Sequence, residues 1–403
     1  MSITTLLFDL DDTLLGNNIE KFIPPYFKRL ADHLTLDVPQ QTFFAALFAG
    51  MQEMFANADP RRTLEDVFSE HFYPAINVPA ETLKPRIENF YEQHFDSLRG
   101  ETTLFPAARE VMRWAFDSGL KVAIATNAMF PRAPILRRLN WAGVSADEFP
   151  YALITTLEFM HFAKPNPEYY AEALTLLDRR PEEVLMVGND WFHDIAPANV
   201  LGINTFWIAP ADSASPANTT HPLGQGDLVQ FLAWARDGNG LDNVSPLPVL
   251  PRSVRAQQAG MLAVTLELVR RLNKADWQRR PNPESWSLTE IVSHLRDVEI
   301  EVNLPRLKRV LEEANPFISA IDSDRWAAER DYQSRCGRAA LADFAEARRE
   351  TLALLDLLSE ADWKRPARHA IFGPTTLQEL VSFTNEHDRL HLRQMRENLS
   401  TEK

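Results

Sequence analysis

Short apolar runs recur through the first half of the chain. Residues 3–8 (Ile-Thr-Thr-Leu-Leu-Phe) form one, and it stops at Asp9. Others occupy 121–125 (Lys-Val-Ala-Ile-Ala), 151–155, 184–187 (Val-Leu-Met-Val) and 204–208 (Asn-Thr-Phe-Trp-Ile). Runs of this length read as buried strands. Between them the apolar positions follow helical spacing. From about 18 to 97 the pattern is helical and rich in phenylalanine, with Phe43, Phe44, Phe48 and Met51 in series. Strands alternating with helices predict an α/β fold: a doubly wound parallel sheet covered on both faces.

The pattern then changes. Residues 209–225 read as loop, and a last helix near 227–235 closes a first domain spanning 1–235. Asp237-Gly-Asn-Gly and the prolines 246, 248 and 251 mark a linker over 236–252. Beyond it strand signals vanish, and 253–403 reads as a second, all-α domain, helical over 253–398. That domain carries an internal echo. Leu272-Asn-Lys-Ala-Asp-Trp277 returns as Leu358-Ser-Glu-Ala-Asp-Trp363, each between two apolar helical segments. Two such halves predict a four-helix bundle.

Composition narrows the function classes. A 403-residue chain with 45% hydrophobic and 24% charged residues can bury two ordinary cores. A net charge of −14 argues against nucleic acid and against an anionic membrane surface as partners. The single cysteine, Cys336, cannot form an intrachain disulfide and suits a reducing compartment. The N-terminal segment has no basic region ahead of its apolar run, and no charge-free stretch is long enough to span a bilayer. The expected location is the cytoplasm.

Candidate chemistry clusters at the predicted strand ends, where open parallel sheets hold their sites. Asp9-Leu-Asp11-Asp12-Thr13 follows the first strand, Thr126-Asn127 the second, and Gly188-Asn189-Asp190 the run 184–187; Lys164-Pro165 follows a loop at 156–163. Asp194 lies one helical turn past Asp190, so the two can share a face. Asp12 reads as a turn or cap residue, and His193 as a surface histidine.

This ordered set resembles the haloacid dehalogenase-like hydrolase superfamily over residues 1 to about 235, through Asp9-x-Asp11-x-Thr13, Thr126, Lys164 and Asp190-x-x-x-Asp194. One departure is that Gly188-Asn189-Asp190 stands where many members have glycine directly before the aspartate. The resemblance implies a core at 1–16 and 96–235 with a helical cap at about 17–95. It implies Mg²⁺ held by Asp9 and Asp190 with the Asp11 carbonyl, Asp194 orienting a metal water or Lys164, and an aspartyl-phosphate on Asp9. Asp11 would be the general acid and base, while Lys164 and Thr126 hold phosphoryl oxygens. Backbone amides around Asn127 would add anion contacts if a helix begins there. Dehalogenating members lack a carboxylate at the position of Asp11, so phosphoryl transfer is expected: a phosphatase acting on a small phosphorylated metabolite, or a phosphomutase.

In the second domain Ser287-Leu-Thr-Glu290 is a capping box, and His294, His387 and His391 fall on or beside the apolar stripes of their helices. Histidines directed into a bundle from two helices can bind Zn²⁺, Ni²⁺ or Fe²⁺. Trp286-Ser-Leu-Thr-Glu-Ile-Val-Ser-His294 and His387-x-x-x-His391-x-x-Gln394 resemble the DinB-like four-helix bundle superfamily over about 253–398. That resemblance implies a metal site and, as one alternative, thiol-dependent transfer. The plainer alternative is a set of core histidines in a bundle used for homodimerisation. A non-catalytic binding role for the first domain fits poorly with the complete set Asp9, Asp11, Lys164 and Asp190.

Overall fold

The structure, a computed structural model, describes residues 2–34, 38–217, 219–242 and 244–400. The chain divides into two compact units, Met1–Pro248 and Val249–Lys403. No helix among the described residues is long and apolar enough to cross a membrane.

In the first unit the apolar runs become strands. These are β1 (Thr5–Phe8), β2 (Leu15–Gly16), β3 (Thr103–Leu104), β4 (Lys121–Ile124), β5 (Leu153–Ile154), β6 (Val184–Gly188), β7 (Asn204–Ile208) and β8 (Gly224–Gly226). Six of them form one parallel sheet in the order β5-β4-β1-β6-β7-β8. The expected doubly wound sheet is therefore present. Strand β1 is buried at every position and lies between β4 and β6, with Phe8 level with Ile124 and Val187. That register brings the residues after all three strands to one edge.

Strand β8 corrects the reading of 209–225 as loop. Gly224-Gln-Gly226 offers no apolar side chain to signal a strand; it joins as an edge through backbone pairing, with Gly224 level with Phe206. A Cβ at Gly224 would strike the Phe206 ring, so the absence of a side chain is what permits the pairing.

Between β2 and β3, which pair antiparallel, the chain makes four helices: α1 (Ile19–Leu34), α2 (Gln40–Phe55), α3 (Leu64–Ile76) and α4 (Ala80–Gln93). Aromatic side chains bind them to one another and to the core. Phe22, Tyr26, Phe90 and Phe95 are buried together, and the hydroxyls of Tyr26 and Tyr91 share a 2.6 Å hydrogen bond. Three further helices flank the sheet: α5 (Pro106–Asp117), α6 (Arg132–Trp141) and α7 (Pro167–Leu177).

The second unit is a four-helix bundle. Its helices are Pro251–Val269, Leu288–Glu312 with a wide π-type turn at Glu299–Asn303, Gly337–Asp356 and Leu377–Ser400. The sequence echo corresponds to two short helices, Lys274–Gln278 and Glu360–Trp363. Each starts at a capping box and buries its tryptophan. The all-helical reading needs one correction, a three-stranded sheet of β9 (Phe317–Ile318), β10 (Pro366–His369) and β11 (Gly373–Thr376). These strands are too short to show an alternating pattern and are held by backbone pairing.

At the middle of the bundle Arg348 is fully buried. It donates to both oxygens of Glu299 (2.9 and 2.8 Å) and to Asp388 (2.6 Å), and Thr351 and Asn303 complete the coordination of Glu299. Replacing one member leaves an uncompensated buried charge. Arg348→Met is expected to destabilise the second unit by about 3–5 kcal/mol. Chemical denaturation of the full chain should show this as an earlier transition for one unit. An unchanged curve would mean that the network contributes no net stability.

Candidate active site and histidine cluster

Residues from four loops converge, those that follow β1, β4, β5 and β6. Asp9 is the first residue past β1, and its amide donates to the Val187 carbonyl at 3.0 Å. Ala125 is tied to the Phe8 carbonyl in the same way at 2.7 Å, which places Thr126 beside the Asp9 loop. The lysine amine is the centre of the cluster. Lys164 Nζ donates to Asp9 Oδ1 at 2.8 Å and to Asp194 Oδ1 at 2.6 Å, and all three side chains are buried. Burial works against the lysine charge, but Asp194 and Asp9 outweigh it and hold the amine well above its ordinary value. Burial, with Asp194 and Asp11 nearby, pushes Asp9 up to about 7 even though Lys164 pulls the other way.

The second oxygen of Asp194 accepts from the Asp190 amide at 3.0 Å. This contact closes the loop after β6 over the lysine, and Gly188 makes room for it. A Cβ on Gly188 would fall inside van der Waals contact of the Asp194 carboxylate.

Asp190 and Asp194 do not share a face as their spacing suggested. Residues Trp191–Ile195 form a π-type turn, so the two carboxylates diverge. Asp190 Oδ1 caps that turn, accepting from the amides of Phe192 (2.8 Å) and His193 (3.0 Å), and Oδ2 pairs with His193 Nδ1 at 3.1 Å. The His193 bond, with the capping amides, draws Asp190 down to about 2, and the same bond raises His193. Asn189, the residue before, turns inward, and its Oδ1 accepts from Thr13 at 3.2 Å. Asp190 thus points to its own turn, and Asp194 to Lys164. Among the described residues Asp9, Asp11, Asp190 and Asp194 supply no three oxygens that all lie within 4.8 Å of one another.

Asp11 is held by two residues that sequence reasoning missed. Arg138 Nη1 lies 2.7 and 2.8 Å from its two oxygens, and Asn17 Nδ2 donates to Oδ1 at 2.7 Å. Arg138 is fully buried, with its guanidinium 4.4 Å from the centre of the Phe130 ring. In sequence it looks like half of a surface Arg-Arg pair. A helical wheel could have placed it inside, because Ile135, Leu139 and Ala142 surround it on the buried face. Asp12 adopts φ 53 and accepts from the Asn17 amide, the turn role expected of it. No helix begins at Asn127. Helix α6 starts at Arg132, and Asn127 contributes its side chain instead, accepting from the Lys164 amide at 3.2 Å.

In the second unit His294, His387 and His391 come together. Their Nε2 atoms converge, with His387 3.1 Å from His294 and 3.2 Å from His391. His391 Nδ1 donates to Gln394 Oε1 (2.9 Å), and His387 Nδ1 lies 3.4 Å from Asp388, which Arg348 holds in place. A ring that donates through Nδ1 points a lone pair from Nε2. Burial, then the neighbouring imidazoles, pushes His294 down to about 3 and His391 to about 4. Imidazole nitrogens that converge in this way are the donor set a divalent transition metal requires. A cavity of about 190 Å³, with Arg306 and His369 in its wall, opens beside His387.

Comparison with known proteins agrees with this division. Residues 3–202 match the family model described as haloacid dehalogenase-like hydrolase, and residues 259–395 match the DinB superfamily model. The chain is similar to pyrophosphatase PpaX from Bacillus cereus (strain B4264). The two are 28% identical over 206 residues, which is 51% of this chain and 82% of that protein. Among solved structures it is similar to a HAD phosphatase from Thermococcus onnurineus, at 19% identity and a TM-score of 0.38 over 60% of this chain and 100% of that one. It is also similar to YfiT from Bacillus subtilis, which has an unusual four-helix bundle topology, at 20% identity and a TM-score of 0.35 over 38% of this chain and 91% of that one.

The close approach of Asp194 to Gly188 gives a direct test of the geometry. Gly188→Ala must push Asp194 off Lys164, and overpacking of this kind costs about 1–3 kcal/mol. A lower unfolding midpoint for the first unit is the expected result. A wild-type midpoint would mean that the loop yields freely and that the contact is not a constraint.

Proposed function

Because the chain carries a haloacid dehalogenase-like hydrolase domain followed by a DinB-superfamily domain, we propose that the first hydrolyses a phosphate monoester through a covalent intermediate on Asp9. One observation carries this reading: a buried lysine amine held between Asp9 and Asp194, at the ends of adjacent parallel strands. Such an amine offers fixed positive charge to a phosphoryl group with no reorganisation at the moment of reaction. The pyrophosphatase name of the PpaX relatives supports the phosphorus–oxygen bond as the target. The substrate class in this reading is a small phosphorylated compound.

In the first step an Asp9 carboxylate oxygen attacks phosphorus, the bond to the ester oxygen breaks, and Asp11 supplies a proton to that oxygen. In the second, Asp11 takes a proton from water, the water oxygen attacks the same phosphorus, and Asp9 is released as carboxylate. Arg138 and Asn17 fix where Asp11 points, so Asp11 must exchange one of their bonds for the ester oxygen. Lys164 and the Thr126 hydroxyl bind the non-bridging oxygens. Asp194 keeps Lys164 charged and in place.

A Mg²⁺ ion suits the donor set. Asp9, Asp11 and Asp194 outnumber Lys164 and Arg138, and all the donors are oxygens. When bound, the ion would neutralise charge on the phosphoryl group. Asp9 would hold it, with the Asp11 carbonyl and with Asp190 once that carboxylate gives up its capping bonds and His193.

Hydrolysis of p-nitrophenyl phosphate with Mg²⁺ tests the reading. Asp9→Asn is expected to lower kcat by about a thousandfold or more, in line with loss of a nucleophile that acts as part of a unit. Turnover equal to wild type in that variant would reject Asp9 as nucleophile.

For the bundle, the convergent Nε2 atoms favour a metal centre on His294, His387 and His391, of the kind that leaves a fourth position open. Zn²⁺, Ni²⁺ and Fe²⁺ all suit imidazole. Elemental analysis after dialysis against Zn²⁺ should find about one ion per chain at such a site, and far less in His387→Ala/His391→Ala. Equal, negligible metal in both would leave the three residues as core histidines.

A further inference from the structure

A cavity of about 540 Å³ lies in the first unit between the four cap helices and the loop from β4 to α6. Its wall is largely aromatic and aliphatic, with Phe43, Met51, Phe68 and Phe72 from the cap facing Met129 and Phe130 from the core. The space is built in place. Leu64 and Glu65, at the start of α3, donate their amides to the carbonyls of Met160 (2.8 Å) and Leu157 (3.0 Å), and Asn57 Nδ2 donates to the His161 carbonyl at 2.8 Å.

One wall lies next to the phosphoryl site. Met129 and Phe130 belong to the same loop as Thr126 and Asn127. The Phe130 ring carries the Arg138 guanidinium, which in turn holds both oxygens of Asp11. Phe130 thus links the cavity to the side chain that holds Asp11.

The charges on the wall select against a second anion. Lys84 is occupied by Glu65 at 2.6 Å, which leaves Arg132 against Glu88, Glu92 and Glu158. Glu158 Oε1 accepts from the Arg132 amide (2.7 Å), and its Oε2 is buried with no hydrogen-bond partner, so that atom calls for a donor. Burial, with Glu65, Glu81 and Glu88, pushes the Tyr73 hydroxyl in the same wall up to about 12. A phosphate group placed here would meet acceptors and carboxylates where it needs donors and cations.

We propose that this cavity binds the organic part of the substrate, and that the substrate is a phosphate monoester of a largely apolar, uncharged alcohol or phenol. Pyrophosphate and polyphosphates are disfavoured. The inference rests on the phosphatase reading above and adds the class of leaving group. It also separates this chain from its PpaX relatives, whose name specifies pyrophosphate.

The experiment is a kcat/KM series with Mg²⁺ over ethyl, butyl and hexyl phosphate, with pyrophosphate alongside. Each methylene buried in the cavity should raise kcat/KM about fourfold, the equivalent of about 0.8 kcal/mol. Hexyl phosphate should also outrun pyrophosphate. Ser69→Phe on α3 and Ala133→Phe on α6 each fill the cavity from a different side, and each should flatten the series. Binding of ethyl- and hexylphosphonate by calorimetry reads the same slope without turnover.

A flat series in wild type, a preference for pyrophosphate, or a slope kept in both filled variants would overturn the proposal. Turnover of ethyl phosphate with a flat series rejects the cavity assignment alone. No turnover of any ester, with the phosphonate slope intact, rejects the phosphatase reading and leaves the cavity as a site for apolar groups.

Discussion

Lys164 is a full positive charge deprived of water, and the first unit is arranged around that fact. A buried ammonium is stable only where opposite charge reaches it directly, and Asp9 and Asp194 both do so within hydrogen-bonding distance. The demand propagates outward. Asp194 can reach the amine only because Gly188 has no side chain, and Asp9 only because β1 ends level with β4 and β6. The lysine main chain is steadied in turn by the Asn127 side chain. Removing any of these supports leaves a charge in a low-dielectric environment without its partner, which is why the loops after four separate strands hold one geometry.

Two opposite environments lie close together in this unit. At the strand edge there are cations, hydroxyls and carboxylates in fixed positions, suited to a phosphoryl group. Under the cap there are aromatic rings with an acidic rim. Phe130 and Arg138 stand at the junction: the ring faces the cavity, and the guanidinium it supports holds Asp11. The acid that would meet the leaving oxygen is thus tethered through a residue that an occupant of the cavity would touch.

The bundle resolves a similar conflict by the opposite route. Burial and the neighbouring imidazoles lower His294 and His391, while a few residues away Arg348 lies between Glu299 and Asp388 and bonds to both. The connection runs through Asp388, which faces both Arg348 and His387. The wide turn at Glu299–Asn303 lets the second helix bring Glu299 to Arg348 and Asn303 to Glu299 without breaking the helix axis. π-type turns of this kind are often found at functional sites.

Periodicity and spacing alone determined much of this protein. Five of the six sheet strands, the helical cap segment, the four bundle helices and the chemistry-bearing residues Asp9, Asp11, Lys164, His294, His387 and His391 were all legible, because burial of apolar runs and the ends of strands leave local signatures. The misses share a cause. Strands β8 to β11 are two to four residues long, too short for a periodic signal, and exist through backbone pairing. Arg138 reads as half of a surface Arg-Arg pair, and although the helical wheel turns it inward, its partner Asp11 lies 127 residues away. Asp190 and Asp194 look equivalent at their spacing, yet a π-type turn sends one to cap its own backbone and the other to a lysine thirty residues earlier. Residue type and order could say which groups were available. Only the packed chain, where each buried charge must find a particular partner, decided which of them meet.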